Sequence, residues 1–575
     1  MSEHTHGPGD EGHDHEFVDD PDEFVIDPDD DSPLAVSRRR MLQALGLTAA
    51  AAAAAPLGVA AAAAAPTPGS GAPHPLNPYD DDLVYLRGDH HIHSQYSPDG
   101  MNPVSRIVQN AAKYGLDWMV VTDHGGVAHQ KLSIDKITPD IVAARAANRG
   151  VLVYQGLEWN IPGAEHATVI LPPSPATVDV LKAFESAYDG AVLAAPTTAG
   201  GLGRIVRATS ADGEPYAVEA LRYLNDQVVS GRVPLALMFA NHPARRGLDS
   251  PHEFRNWRDA APGVAVGMEG APGHQAAGIA RAAGGIGSAR GFYDFAPLVD
   301  SFAGYTPNDV DNPYRTYGGF DWLTATVGGF WDSMLAEGRP WWITSTSDSH
   351  VVHNDLFVPG AQDHTATGSK GDPIAASAPV PAGDYWPGYY SSTMVGARSK
   401  TYLDVMRGLQ AGRIVAVHGR LIDALDLRVR ARQDGDRRGV TLGGRTYVAR
   451  GGDVEVTAEI SLARGINFAG DLPRLAKVDL IAGPVTGPVS DRDAFRAPAT
   501  RVVETFEVTA AARREGTLEI SHRFRNVTQP FYVRLRGSDG NRLTSSGDPV
   551  IDVVGDADPW ADLWFYANPV FVDVV

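Results

Sequence analysis

Several short apolar runs in this chain end in the same kinds of residue. LVYLRGDHHIH, DWMVVTDHGG, VLVYQGLEWN, VPLALMFANHP and PWWITSTSDSH each pass from apolar positions to His, Asp or Glu. GVAVGMEG reads as a further buried strand. Helical spacing lies between these runs. Asn102-Pro103 offers an N-cap and a first-turn proline, Val104, Ile107, Val108, Ala111 and Ala112 share a face, and Gly115 closes the helix. Thr138-Pro139 is expected to start a second helix that ends near Gly150. Asp321 to Glu337, with Leu323, Val327, Phe330, Trp331 and Met334 in one stripe, is expected to be a single core-packed helix. Apolar strands alternating with helices predict an α/β fold with a parallel sheet. Such sheets gather functional groups at the C-terminal strand ends, which here suggests a barrel with one crowded rim.

From about Leu421 the pattern changes. DALDLRVRA, GDVEVTAEI, AKVDLIAG, VVETFEVTA, TLEISHRF and FYVRLRG alternate apolar and polar residues with no helix between them. Residues 421–575 are therefore expected to form a smaller, all-β, sandwich-like domain after a barrel over 83–420. No chemical constellation is visible in that second region. Residues 66–82, rich in Pro, Gly and Asp, read as a linker.

Composition excludes some functions. The chain of 575 residues has a net charge of −21, which argues against a general nucleic-acid binder. It contains no cysteine, so any metal must be held by His, Asp and Glu. Residues 1–36 are acidic and are expected to be disordered. The segment SRRRMLQALGLTAAAAAAAPLGVAAAAAAP then joins Arg38 and Arg39 to an Ala-rich apolar stretch. It resembles a twin-arginine export signal with small residues near Ala63–Ala65 for cleavage. A membrane anchor is the competing reading, but Ala is a weak membrane residue and Pro56 interrupts the run. Residues 1–65 are thus expected to be a leader and signal removed on export by the twin-arginine machinery, with no stable membrane span left. The mature protein would lie in the extracellular, periplasmic or cell-wall space.

GDHHIHSQYSPDG, residues 88–100, is the densest chemical stretch. Strand alternation points His91 and His93 one way and His90 the other, while Asp89 drops out of the ligand set. An H-x-H pair alone is weak evidence for a metal. Other strand ends add Asp123-His124, Glu158, His242, and Asp348 with His350, and loops add Asp99 and His166. The candidate ligands are His91, His93, Asp99, His124, Glu158, His166, His242, Asp348 and His350. Nine such residues suit two or three divalent ions of zinc, manganese or iron.

DHHIHSQYSPDG, VVTDHGG, GLEW, NHP and TSDSH, in that order, resemble the motifs of the PHP (polymerase and histidinol phosphatase) superfamily, over roughly Leu83 to Gly419. The resemblance implies a distorted seven-stranded (β/α) barrel and a trinuclear metal site. It also implies that His91, His93 and Asp348 bind a first metal, and that Glu158 bridges it to a second. His166 and His242 would complete the second, and Asp99, His124 and His350 would hold a third. The stretch TMVGARSKTYLDVMRGLQAGRIVAVHG, with FYVRLRGSDG and WFYANPVFV, resembles the secreted carbaryl-hydrolase-like branch of that superfamily.

Such a site implies a hydrolase whose nucleophile is a metal-bridging hydroxide. Three divalent ions against three carboxylates leave an excess of about +3, which favours a small anionic substrate such as a phosphate ester. Asp123 is a candidate for orienting a ligand, and His353 for a general acid. Arg245 and Arg246 are candidates for gripping a phosphate. The insertions 270–319 and 351–390, the latter with Trp386, Tyr389 and Tyr390, are expected to shape the pocket or pack between domains. Two other readings stay open: a carboxylic or carbamate ester hydrolase with the same site, and a non-catalytic exported metal- or ligand-binding protein.

Overall fold

The strands that carry the site are β1 (Val84–Asp89), β2 (Trp118–Val121), β3 (Leu152–Asn160), β4 (His166–Ile170), β5 (Leu237–Ala240), β6 (Ala265–Ala271), β7 (Trp342–Ser345), β8 (Ser391–Ala397) and β9 (Ile414–His418). They come from a computed structural model that describes residues 83–575 apart from 209–210, 294–296, 308–311 and 433–437. The leader, signal and linker expected over 1–82 lie outside the described residues. Most of these strands are buried along nearly their whole length, which is why they read as short continuous apolar runs.

The fold is mixed α/β with one large sheet of parallel and antiparallel strands. β1, β2 and β3 are parallel, as are β5, β6 and β7. β4 breaks the expected parallel order by pairing antiparallel with both β3 and β5. The reason is local: only residues 161–165 separate β3 from β4, too few for the crossover that a parallel pair needs. On the other side β1 pairs antiparallel with β8, and β8 with β9. β7 returns to β8 through Thr393, whose hydroxyl donates to Ser345 O (2.8 Å) and accepts from Ser345 N (2.9 Å).

The helices differ from expectation at their ends. The first spans Val104–Lys113 with Pro103 at its cap, because Asn102 Oδ1 is taken by the Arg106 guanidinium at 2.6 Å. The second, Ile134–Ala147, begins before Pro139 and follows a wide turn at His129–Ser133. The expected helix over 321–337 is two pieces, Trp322–Ala325 and Phe330–Ala336, parted where Gly328 takes φ +75°. No helix among the described residues is long and apolar enough to cross a membrane.

C-terminal to β9, Ile422–Ala431, Gly452–Leu462 and Thr517–Val527 form an antiparallel three-stranded sheet with alternating burial. Trp564–Ala567 pairs with β9, and Phe531–Ser538 pairs with Trp564–Ala567, so the large sheet runs on into this region. Aromatics of the 351–390 insertion pack there too. Tyr389 stacks on Phe468 at 5.5 Å, and Tyr390 meets Trp560 at 4.9 Å. Trp386 instead packs under Arg106.

His418, at the end of β9, lies between Phe320 and Tyr390, and burial together with Arg290 pushes its imidazole well below the usual range. The unfolded chain takes up a proton near pH 6.5 and the buried ring does not, so this residue lowers stability as pH falls below that value. His418→Phe is expected to retain about 1 kcal/mol that the natural chain loses between pH 6.5 and 5.5. Denaturation midpoints at the two pH values measure this, and equal acid sensitivity in both proteins would refute it.

Candidate metal centre

The residues after β1 are held as an extended segment between two other strand ends. Thr122 N donates to Ile92 O at 2.8 Å, and His93 N donates to Ser349 O at 3.0 Å. The buried Asp89 carboxylate accepts His91 N and Ser347 N, each at 3.1 Å. Asp89 therefore shapes the rim without entering the ligand set. His90 turns away to Thr344 and Thr168 and stacks on Phe239.

The nine sequence-derived candidates converge. Glu158, at the end of β3, stands at their centre. Its Oε1 lies 3.0 Å from His91 Nε2, 3.0 Å from His166 Nδ1 and 3.3 Å from His242 Nε2. Its Oε2 lies 3.1 Å from His93 Nε2 and 3.0 Å from His124 Nδ1. Asp348 Oδ1 faces His91 at 3.0 Å and His93 at 3.2 Å. Asp99 Oδ2 faces His124 at 3.0 Å and His350 at 3.3 Å. Ligand-type atoms lie within 4.8 Å of one another in the groups His91–His93–Asp348, His91–Glu158–His242, His124–Glu158–His166 and His93–Asp99–His124–His350. The Asp99 side chain is 38% exposed against 1% for Glu158, so the Asp99–His124–His350 end is the side open to solvent.

These residues fit divalent cations. His93 Nε2, Glu158 Oε2 and Asp348 Oδ1 are buried without hydrogen-bond partners, although they face one another. Buried polar atoms normally find a partner, and a cation between them supplies one. The outward nitrogens are already engaged: His91 Nδ1 with Glu269 Oε1 at 2.8 Å, and His93 Nδ1 with Ser97 Oγ at 3.0 Å. A proton held there leaves the Nε2 lone pair aimed inward, as ligation requires. Electrostatics agree. Burial alone would raise the Glu158 carboxyl, but His124, His91 and His166 outweigh it and hold it well below the usual carboxylate range. Burial works against protonation of His124, yet Glu158 and Asp99 lift its imidazole to about 10.

The proposed helpers stand around the nine and contact other residues. Asp123 accepts Ser94 N (2.6 Å) and Ser94 Oγ (2.7 Å), so it fixes the turn after His93 instead of touching a ligand. His353 donates its backbone N–H to Asp384 O and sets its ring edge-on to Tyr385. Arg245 and Arg246 face the buried Glu165 at 3.2 and 3.6 Å, which claims part of the charge expected for substrate.

Four contributors were not anticipated. Glu269, in β6, accepts from His91 Nδ1 and from His242 N at 2.6 Å. Asn241 donates to Glu158 Oε1 at 3.1 Å. His274 Nε2 meets Asp348 Oδ2 at 2.8 Å, and Asp384 holds His274 from the other side. For Glu269 the signal was present, since GMEG is another apolar run ending in an acid.

Residues 89–227 match the PHP domain. No curated protein matches the chain. Among solved structures, a two-domain protein from Bacteroides vulgatus, described as containing a PHP-like metal-dependent phosphoesterase, is 14% identical; the match covers 82% of this chain and 96% of that one, with a TM-score of 0.31. A protein from Bifidobacterium adolescentis described as a metal-dependent phosphoesterase is 16% identical over 32% of this chain and 76% of that one, with a TM-score of 0.17. An amidohydrolase from Chromobacterium violaceum, with bound sulfate and no metal, is 18% identical over the same shares, with a TM-score of 0.20. The PHP match takes in six of the nine clustered residues, His91 to His166.

Proposed function

We propose that this chain is an exported metal-dependent hydrolase, and that it acts as a phosphoesterase on a small anionic substrate. The observation that carries the hydrolase reading is Glu158, a buried carboxylate whose two oxygens face five imidazoles in two groups. That is the arrangement of a bridging ligand in a di- or trinuclear centre. His91, His93 and Asp348 would hold one ion, Glu158 with His166 and His242 a second, and Asp99, His124 and His350 a third, of manganese, zinc or iron. Such ions supply a nucleophile from water at neutral pH and neutralise charge on a phosphoryl group. The chain's own residues orient the ligands: Glu269 turns His91, Ser97 turns His93, and Asp123 fixes the turn after His93 through Ser94. Substrate would enter at the Asp99–His124–His350 end.

The export signal, the carbaryl-hydrolase-like branch, the seven-stranded barrel and the 420/421 domain boundary belong to the same proposal. A second reading, hydrolysis of a carboxylic or carbamate ester, is favoured by one observation. Glu165 engages Arg245 and Arg246, and Glu269 and Asp384 add further negative charge around the cluster, which reduces the pull on an anion.

The test is direct. The chain without residues 1–65 is expected to retain at least two divalent ions through gel filtration. It is expected to hydrolyse an aryl phosphate monoester or a phosphodiester faster than an aryl carboxylic ester. Fewer than two ions per chain would sink the multinuclear site. Faster turnover of the carboxylic ester would move the assignment to the second reading, and full metal with no turnover would favour a binding protein.

A further inference from the structure

We propose that His274 and Asp384 form a positioning clamp that holds Asp348 and His350 in ligating geometry and dedicates one oxygen of Asp348 to the metals. The proposal rests on the metal-centre reading above, and the two can fail separately.

Asp348 and His350 sit on a rim segment after β7 with no regular structure of its own, and Asp348 takes φ +46°. A non-glycine residue in the left-handed region persists only where its surroundings enforce it. Three such residues meet at this site: His242 at φ +28°, Asp348 at +46° and His274 at +54°. The surroundings of Asp348 are the 272–275 turn. His274 N donates to Ser347 O at 3.2 Å. Gly273 lies so close that a Cβ there would stand 2.0 Å from Asp348 Cβ. His274 itself is pressed by Phe292 at 4.4 Å between ring centres.

The polar contacts close a loop. His274 Nε2 meets Asp348 Oδ2 at 2.8 Å, while Asp348 Oδ1 faces His91 and His93. His274 Nδ1 meets Asp384 Oδ1. Asp384 Oδ2 then accepts the backbone N–H of His350 at 2.6 Å and of Val351 at 3.0 Å. The two residues therefore grip Asp348 by its side chain and His350 by its backbone. With Oδ2 occupied, Asp348 offers the cluster a single oxygen, and its carboxylate cannot swing to chelate one ion with both. Asp384 and His274 are nearly buried, so water competes little for these contacts.

The experiment titrates metal-free full chain with Mn²⁺, reading stoichiometry and affinity by calorimetry and the bound-ion spectrum by electron paramagnetic resonance. Natural protein is compared with His274→Ala, His274→Gln and Asp384→Asn, each checked for native circular dichroism. Residues that hold a metal ligand from behind in this way are typically worth about 10–100-fold in metal affinity. His274→Ala and Asp384→Asn are expected to weaken the class of Mn²⁺ sites served by Asp348 and His350 by about that factor, while uptake at Glu158, His166 and His242 stays. The double variant is expected to be little worse than either single one, because both changes open the same loop. His274→Gln, which keeps the size and one donor, carries the test if His274→Ala does not fold, and is expected to weaken the same class. Variants that bind every equivalent as tightly as the natural chain would overturn the clamp alone. Equal weakening of all sites would also overturn it, since that marks a general structural defect. A natural chain that takes up no Mn²⁺ would overturn the metal-centre reading and the clamp with it.

Discussion

Glu158→Ala is expected to cost more than one metal equivalent per chain and to lower turnover by about 10³-fold or more. The first part follows from connectivity. Asp348 Oδ1 reaches His91 and His93, and Asp99 Oδ2 reaches His124 and His350. Asp348 Oδ1 also comes within 3.5 Å of His350 Nδ1, but among the described residues Glu158 alone joins members of both sets to His166 and His242. Removing it takes the central anion away from five imidazoles, and the repulsion between the cations those imidazoles would hold then goes uncompensated. The second part follows from what an ion contributes to charge stabilisation, several kcal/mol, where ~4 kcal/mol corresponds to about 10³-fold. Metal analysis of the purified variant checks the first part, and initial rates on the best ester substrate check the second. Retained stoichiometry would remove Glu158 from the bridging role, whatever happens to the rate.

Much of this centre was legible because strand ends share a rim. His91, His93, His124, Glu158, His242, Asp348 and His350 each follow an apolar run, and the sheet brings those ends together. His166 sits at the start of β4, and the antiparallel turn that carries it back to Glu158 was not foreseen. What stayed hidden acts on the ligands from behind. His274 and Asp384 come from the insertions 270–319 and 351–390, which have no periodicity, and their partners are set by a turn geometry that no local pattern encodes. Adjacency to His242 suggested Arg245 and Arg246 as a grip on phosphate, but it could not show that Glu165 engages them. The same limit applied to the stripe over 321–337, whose apolar spacing is continuous while Gly328 breaks the backbone.

Asp332→Ala is expected to destabilise the protein by about 3–5 kcal/mol. Asp332 lies in the Phe330–Ala336 helix and is fully buried. Its Oδ1 accepts from Arg534 Nε and from the Tyr532 hydroxyl, both at 2.9 Å. Its Oδ2 accepts from the second Arg534 donor at 2.8 Å and from Gly328 N at 2.7 Å. Arg534, in the strand Phe531–Ser538, also lies over the Trp331 ring at 4.6 Å. Truncating Asp332 strands a fully buried guanidinium without its carboxylate, which is costlier than losing the pair as a whole. Asp332→Ala/Arg534→Met is therefore expected to recover most of the loss, because it replaces both charges with apolar volume. Denaturation midpoints measure both variants, and a single-variant effect under about 1 kcal/mol would refute the role assigned to this pair. The folded fraction of Asp332→Ala is expected to keep its full metal content. The pair joins the strand Phe531–Ser538 to the helix before β7, but it does not touch Asp348, so its loss weakens the scaffold and leaves the ligand geometry intact.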